Sequence, residues 1–290
     1  MSEPAYIVIT PVRNEEAYLP GAIAAMAAQT LPPRCWVLVD DGSTDRTGEL
    51  IDAAAAAHPW IRGVHRPDRG SRQAGGGVIA SFYSGYALVA AAPWDYVVKC
   101  DADLSFPPDF FARCWREFEG DPALGIAGGV CCLPSAGGNV PEFAGEPPFH
   151  VRGPMKIYRR ECFAAIGGLI QAPGWDTVDQ VTAAMLGWKT RTFFDIPLVH
   201  HRPTGGAYGI WRDSIKNGMA NYVTGYQPLF MACKCVRRTF RRPHRAGVAL
   251  WLGFMQGYWR RIPRVPNAAM IRYLRRQQWR ALTFQSSLWG

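Results

Sequence analysis

The stretch "YVVKCDADLSFP" (Tyr96–Pro107) closes a short apolar run with two aspartates one residue apart. If the run is a strand and continues extended, alternation puts Asp101 and Asp103 on one face. Two carboxylates there must be solvated, protonated or neutralised by a cation. Oxygen-only ligands suit a hard ion such as Mg²⁺ or Mn²⁺, which bridges carboxylates to phosphates. A lone Asp-x-Asp is a weak motif, however, and a turn with one capping Asp and one solvated Asp competes with the metal.

Working outward, "YIVIT", "CWVLVDD", "IRGVHR" and "YVVKCD" read as strands. Helical segments separate them: "EEAYLPGAIAAMAAQT", "TGELIDAAAAAHP" and "GVIASFYSGYALVAAA". Apolar strands alternating with helices predict an α/β fold, a mostly parallel, Rossmann-like sheet with helices on both faces. Ligands of such sheets gather outside the carboxyl ends of the strands. The polar clusters lie there: "TPVRNEE", "DDGSTD" and "DAD".

Each cluster has an ordinary alternative. Asp40 and Asp41 need donors, which a nucleobase, a ribose or backbone amides would all supply, and Arg13 and Glu15 would suit a solvated loop. In "RGSRQAGGG" the glycines and Arg72 suit phosphate oxygens, but the Gly-Lys-Ser/Thr of a P-loop is missing.

The segment from Gly120 to Pro154 is rich in Gly and Pro and reads as loops and short strands. Beyond it "RRECFAAIGGL" and "VDQVTAAMLGW" read as helices, and "KTRTFFDIPLVHH" as an edge strand or two. Asp176 and Asp179 are three apart at a helix start, where one acid caps and two suggest a second duty. His200 and His201 end an apolar strand; alternation sends them to opposite faces, so at most one is a ligand there.

Charge is segregated. Residues 1–213 hold all 23 acidic residues and 18 of the 32 Lys and Arg, a net of −5, whereas residues 214–290 hold 14 Lys and Arg and no acid. Such a tail points to a polyanionic partner. Its arginines interleave with aromatics in "CVRRTFRRPHR", "YWRRIPR" and "WRALTFQSSLW", a pattern suited to an anionic bilayer surface. Its most apolar piece, "AGVALWLGFMQGYW", has 14 residues against the ~20 of a spanning helix, so it lies in the interface or packs on the core. The chain start lacks the pattern of a signal peptide, and the eight scattered cysteines lack zinc spacing, so reduced thiols in the cytoplasm are expected.

Taken in order, "VITPVRNEEAYLP", "VLVDDGSTDRT", "VVKCDADLSF" and "GWDTVDQVTAAMLGW" resemble the family-2 glycosyltransferases, inverting enzymes with the GT-A nucleotide-sugar fold. The resemblance implies a UDP-, GDP- or dTDP-sugar donor and Mg²⁺ or Mn²⁺. Thr10, Pro11, Arg13 and Glu15 match its first nucleotide-contacting loop. Asp40 and Asp41 match the acids on base and ribose, and Asp101 and Asp103, preceded by Lys99, the metal-diphosphate motif. Asp176, eleven residues before Gly187, aligns with the catalytic base; Trp175 replaces the usual preceding Glu, which keeps Asp179 a rival. His200 and His201 both match a later metal-binding histidine.

The expectation is a GT-A catalytic domain over residues 1–205, with nucleotide-sugar binding in about 1–105 and the acceptor side in about 106–205. A basic, aromatic-rich helical extension over 206–290 would dock the enzyme on the inner face of the membrane, beside a lipid-linked or glycan acceptor, or mediate a homodimer. Two rival functions are a nucleic-acid-binding protein, against which the acidic strand ends argue, and a sugar-nucleotide nucleotidyltransferase, whose Arg-Lys-containing first loop is missing.

Overall fold

The computed structural model describes residues 3–290 except 69, 71–74, 136, 143–144, 204–208 and 241–242. Its first half follows the expectation. Strands β1 (Tyr6–Val12), β2 (Cys35–Asp40), β3 (Ile61–His65) and β4 (Tyr96–Cys100) are parallel, in the order β3-β2-β1-β4. Helices α1 (Leu19–Ala27), α2 (Thr47–Ala57) and α3 (Gly76–Tyr86) form the crossovers. Every residue of β2 and β4 is buried, which is why these strands read as continuous apolar runs. In-register pairing sets Val12, Asp40 and His65 level at the carboxyl edge.

The second half departs from a parallel plan. After β5 (Leu104–Ser105) and α4 (Phe110–Gly120) come β6 (Leu124–Leu133), β7 (Val140–Pro141), β8 (Met155–Arg159), α5 (Arg160–Ala165), α6 (Trp175–Met185) and β9 (Lys189–His200). Strand β8 runs antiparallel to both β4 and β6, and β9 parallel to β6, so the order is β3-β2-β1-β4-β8-β6-β9-β5 with β7 beside β6. The sheet is therefore mixed, not mostly parallel.

Residues 120–154, expected as loops and short strands, contain the ten-residue β6. Its glycines disguised it. A Cβ at Gly128 would stand 2.5 Å from the Met155 carbonyl oxygen, and one at Gly129 2.4 Å from that of Ile196. They are glycines because neighbouring backbones approach closely, not because the chain turns. Strand β9 is not an edge, since β5 covers its last residues.

Side chains alternate across the sheet into two cores. Tyr6, Val8 and Val12 pack with Leu19, Met26, Phe110, Phe111 and Trp115 on one face; Ile7, Ile9, Val37 and Val97 pack with Ile79, Phe82, Cys162 and Trp175 on the other. A third core joins Val178 and Val181 of α6 to four C-terminal helices: α7 (Ile210–Val223), α8 (Pro228–Thr239), α9 (Arg245–Trp259) and α10 (Ala268–Leu282). The helix that carries Asp176 and Asp179 thus rests on the sheet and on the extension together. No helix among the described residues is long and apolar enough to cross a membrane.

Candidate active site

Pairing of β5 with the end of β9 sets Leu104 opposite His200, and the His201 N–H donates to the Asp103 carbonyl at 2.9 Å. The Asp-x-Asp turn therefore folds back along the end of β9. His200 and His201 point apart, as alternation requires. His200 is buried, with Nε2 3.6 Å from Asp103 Oδ1 and Nδ1 donating to Glu142 Oε2 at 3.0 Å. His201 faces the other way, with Nε2 2.8 Å from Ser105 Oγ and its ring stacked on Tyr18.

Asp103 is buried, and Arg202 Nη2 reaches its Oδ2 at 2.9 Å while also donating to Glu15. Burial alone would raise the Asp103 carboxyl; the hydrogen bond from His200 and the charges of His200 and Arg202 overcome this and hold it below the usual range. Burial likewise opposes a charged His200, but Asp103 and Glu142 outweigh it and push the imidazole up to about 9. Asp101 remains 32% exposed, bonded on Oδ1 by Lys99, whose ammonium also donates to the Gly153 carbonyl at 2.7 Å.

The two aspartates expected on α6 have different surroundings. Asp176 is half-buried, and its Oδ2 lies 3.6 Å from where a Cβ on Gly153 would stand, next to the Lys99 anchor. Asp179 is sealed in, accepting from Lys156 Nζ and Tyr158 Oη, both at 2.6 Å. Burial drives Asp179 up and Lys156 down, each toward its neutral form, and their contact opposes both shifts. Lys156 also donates to the Asp176 carbonyl at 2.8 Å, clamping the start of α6. Trp175, the departure from the family pattern, lays its ring against the ammonium groups of Lys99 and Lys156, 5.5 and 5.3 Å from its centroid.

Nearer β1 and β2 the acids find partners inside the protein. Asp40 accepts from the Ser43 N–H at 2.8 Å and faces His65 Nδ1 at 3.2 Å, while Arg66 pairs with Asp41 at 2.7 Å. Arg13 donates to the Asp41 carbonyl and pairs with Asp68 at 2.7 Å. Pro11 is half-buried, whereas Thr10 is fully buried, its hydroxyl accepting from the Trp36 indole at 2.9 Å. Arg72 lies outside the described residues.

The fold thus gathers Glu15, Asp103, His200 and Arg202 into one charged chain, with Lys99, Asp101 and Asp176 around Gly153. Arg202, Glu142, Lys156 and Tyr158 were not singled out from the sequence. Arg202 had a signal, a cation just past a strand end; Glu142, in a Gly/Pro-rich stretch, had none.

The donor set fits a hard divalent ion in kind: two carboxylates and an imidazole. The 3.6 Å between Asp103 Oδ1 and His200 Nε2 is somewhat longer than the ~3 Å between neighbouring ligands of an octahedral ion with ~2.1 Å bonds. Among the described residues no three His, Cys, Asp or Glu side chains are already clustered around one point. Lys99 and Arg202 lie against the same two carboxylates, on Asp101 Oδ1 and Asp103 Oδ2.

A mixed α/β sheet with helices and a helical extension resembles structures of the GT-A fold. Residues 7–136 match the model of glycosyl transferase family 2. The chain is 34% identical over 121 residues to polyprenol monophosphomannose synthase of Mycolicibacterium smegmatis, covering 41% of this chain and 43% of that one. It is 34% identical over 113 residues to the undecaprenyl-phosphate 4-deoxy-4-formamido-L-arabinose transferase of Pseudomonas aeruginosa, covering 37% and 30%. The chain thus spans less than half the length of these curated relatives. The mannosyltransferase PcManGT of Pyrobaculum calidifontis, solved with GDP-Man and Mn²⁺, superposes with a TM-score of 0.56 at 20% identity, over 99% of this chain and 77% of that one. S. aureus TarS 1–349 with UDP-GlcNAc gives 0.54 at 14%, over 95% and 78%.

Proposed function

We propose that the protein is an inverting, metal-dependent glycosyltransferase that moves a sugar from a nucleoside-diphosphate sugar to a hydroxyl or phosphate oxygen of a lipid-linked or glycan acceptor in cell-envelope or polysaccharide synthesis. The observation that carries this reading is the convergence on Gly153. Its carbonyl receives the lysine that holds Asp101, and its Cα side lies against Asp176. Donor motif and candidate base are thereby held at one place by elements far apart in sequence.

Asp101, Asp103 and His200 would hold Mg²⁺ or Mn²⁺, which when bound neutralises charge developing on the leaving diphosphate. Arg13, Glu15, Asp40 and Asp41 line the nucleotide side through the two loops that Arg13 ties together. Asp176, half-buried beside Gly153, takes the proton of an acceptor hydroxyl as it attacks the anomeric carbon from the face opposite the diphosphate, inverting it. Asp179, enclosed by Lys156 and Tyr158, fixes the start of α6 and so positions Asp176. Where the acceptor is a phosphate, its oxygen is already deprotonated and Asp176 orients it.

The extension docks the enzyme on the cytoplasmic face of an anionic membrane. On α9 the exposed Val248, Leu252, Met255 and Trp259 recur at spacings of four, three and four and so share one face. Exposed Arg245, Arg260 and Arg261 flank it. Apolar face and cationic rim together suit a headgroup region.

The test is calorimetric titration with UDP, GDP and dTDP, with and without Mn²⁺, on the wild type and Asp103→Ala. Micromolar, metal-dependent binding of one nucleotide, lost in the variant, is expected. Absence of nucleotide binding by folded protein in every condition overturns the reading.

A further inference from the structure

We infer that Glu142 is a positioning residue: it orients His200 so that the ring presents Nε2 to a divalent cation shared with Asp103. The inference rests on the metal-dependent transferase reading above and adds to it a residue that the sequence motifs do not contain.

Three features carry it. Glu142 follows β7 directly, and its backbone N–H donates to the Cys131 carbonyl of β6 at 2.9 Å, so its main chain is fixed to the sheet. Its side chain is buried, and Oε2 accepts from His200 Nδ1 at 3.0 Å across 58 residues of sequence. An imidazole that donates Nδ1–H to a fixed carboxylate must point Nε2 the opposite way, and in that direction lies Asp103 Oδ1 at 3.6 Å. Arg152 supports the carboxylate from behind, with Nη2 3.9 Å from Glu142 Oε2 and Nη1 on Glu146 at 3.1 Å.

Carboxylate, histidine and metal in line is the arrangement by which outer partners fix the tautomer and ring orientation of a histidine ligand. Losing such a partner typically weakens metal binding about 10- to 100-fold. A salt bridge with only a packing role would leave the ring orientation, and hence the nitrogen offered to the metal, indifferent to Glu142.

The experiment titrates Mn²⁺ alone into the EDTA-stripped full chain, without nucleotide, followed by electron paramagnetic resonance. The wild-type complex should show ¹⁴N modulation of the spin echo, lost in His200→Ala. Glu142→Ala should bind Mn²⁺ about 10- to 100-fold more weakly and lose most of the modulation. Glu142→Gln, which keeps an acceptor for Nδ1–H, should recover the modulation with part of the affinity. If Glu142→Ala does not fold, as judged by its metal-free melting curve, Glu142→Gln and His200→Ala carry the test, with Glu142→Gln expected to bind Mn²⁺ about tenfold more weakly. Wild-type affinity and modulation in both Glu142 variants, in Glu142→Gln when it alone folds, or no nitrogen modulation in the wild type, overturns the inference. Failed nucleotide binding beside an intact ¹⁴N signal would instead count against the transferase reading alone.

Discussion

Lys156 Nζ lies 2.6 Å from Asp179 Oδ2, and both side chains are sealed from solvent. Tyr158, two residues further along β8, donates to the same oxygen, so the strand is joined to α6. Asp179→Asn leaves Lys156 buried without its counter-charge, a loss of about 3–5 kcal/mol. Urea denaturation should show that drop, and nucleotide affinity in the remaining folded protein should stay near the wild-type value.

Asp176→Asn should do the reverse. Its side chain is half-buried. The unfolding free energy should change by less than about 0.5 kcal/mol, as for most changes away from a core. With a hydroxyl acceptor kcat should fall about 10²–10⁴-fold, the range for loss of a general base, and the nucleotide Kd should be unchanged. Full activity in Asp176→Asn, with inactivity of a stably folded Asp179→Asn, would transfer the catalytic role to Asp179.

How far this was legible in the sequence follows from which partners are local. The four parallel strands were visible because burial on both faces leaves nearly unbroken apolar runs such as Cys35–Val39, and their ends carry the polar clusters. Strand β6 was hidden because Gly128 and Gly129 are required by the Met155 and Ile196 carbonyls, contacts that no local pattern encodes. The different surroundings of Asp176 and Asp179 depend on Lys156, twenty-three residues from Asp179. The face of His200 was foreseeable as one of two; that it is the face toward Asp103 comes from the short β5 pairing with β9.

His65 gives a pH dependence. Hydrogen bonds to Asp52, and then to Asp40, raise its pKa above the ordinary histidine value. A raised folded-state value means that the stabilisation is fully present below the unfolded value of ~6.5 and is lost as pH rises through the folded value. The ring is 44% exposed, so solvent screens the pairs and the effect is small. The melting temperature of the wild type should exceed that of His65→Gln by about 1–3 °C more at pH 5.5 than at pH 8.5. A difference that grows toward pH 8.5 would contradict the assignment.

The crossing of α7 and α9 depends on glycine. A Cβ at Gly253 would stand 1.9 Å from the Ile215 carbonyl oxygen, and one at Gly218 2.0 Å from that of Leu250. Both obstacles are backbone, which cannot rotate aside. Gly253→Ala and Gly218→Ala should each destabilise by at least the ~1–3 kcal/mol usual for overpacking. Gly120→Ala, with nothing within 4 Å of the added methyl, is the control and should be neutral or slightly stabilising.

The exposed face of α9 makes the membrane proposal quantitative. Leu252 and Met255 point outward while Leu250 and Phe254 of the same helix enter the third core, so charges placed on the first pair spare the fold. Burying one such side chain in a headgroup region contributes about 1.5–3 kcal/mol, or roughly 10- to 100-fold in affinity. Leu252→Asp and Met255→Asp should therefore each cut binding to phosphatidylglycerol vesicles by about that factor, measured by flotation, with an unchanged melting curve. Phosphatidylcholine vesicles should bind weakly, and raising salt should weaken binding to the anionic ones, because residues 214–290 carry 14 cations and no acid. Binding to neither vesicle, with the wild-type chain sedimenting as a dimer that Leu252→Asp dissociates, would assign the same face to a second copy of the chain.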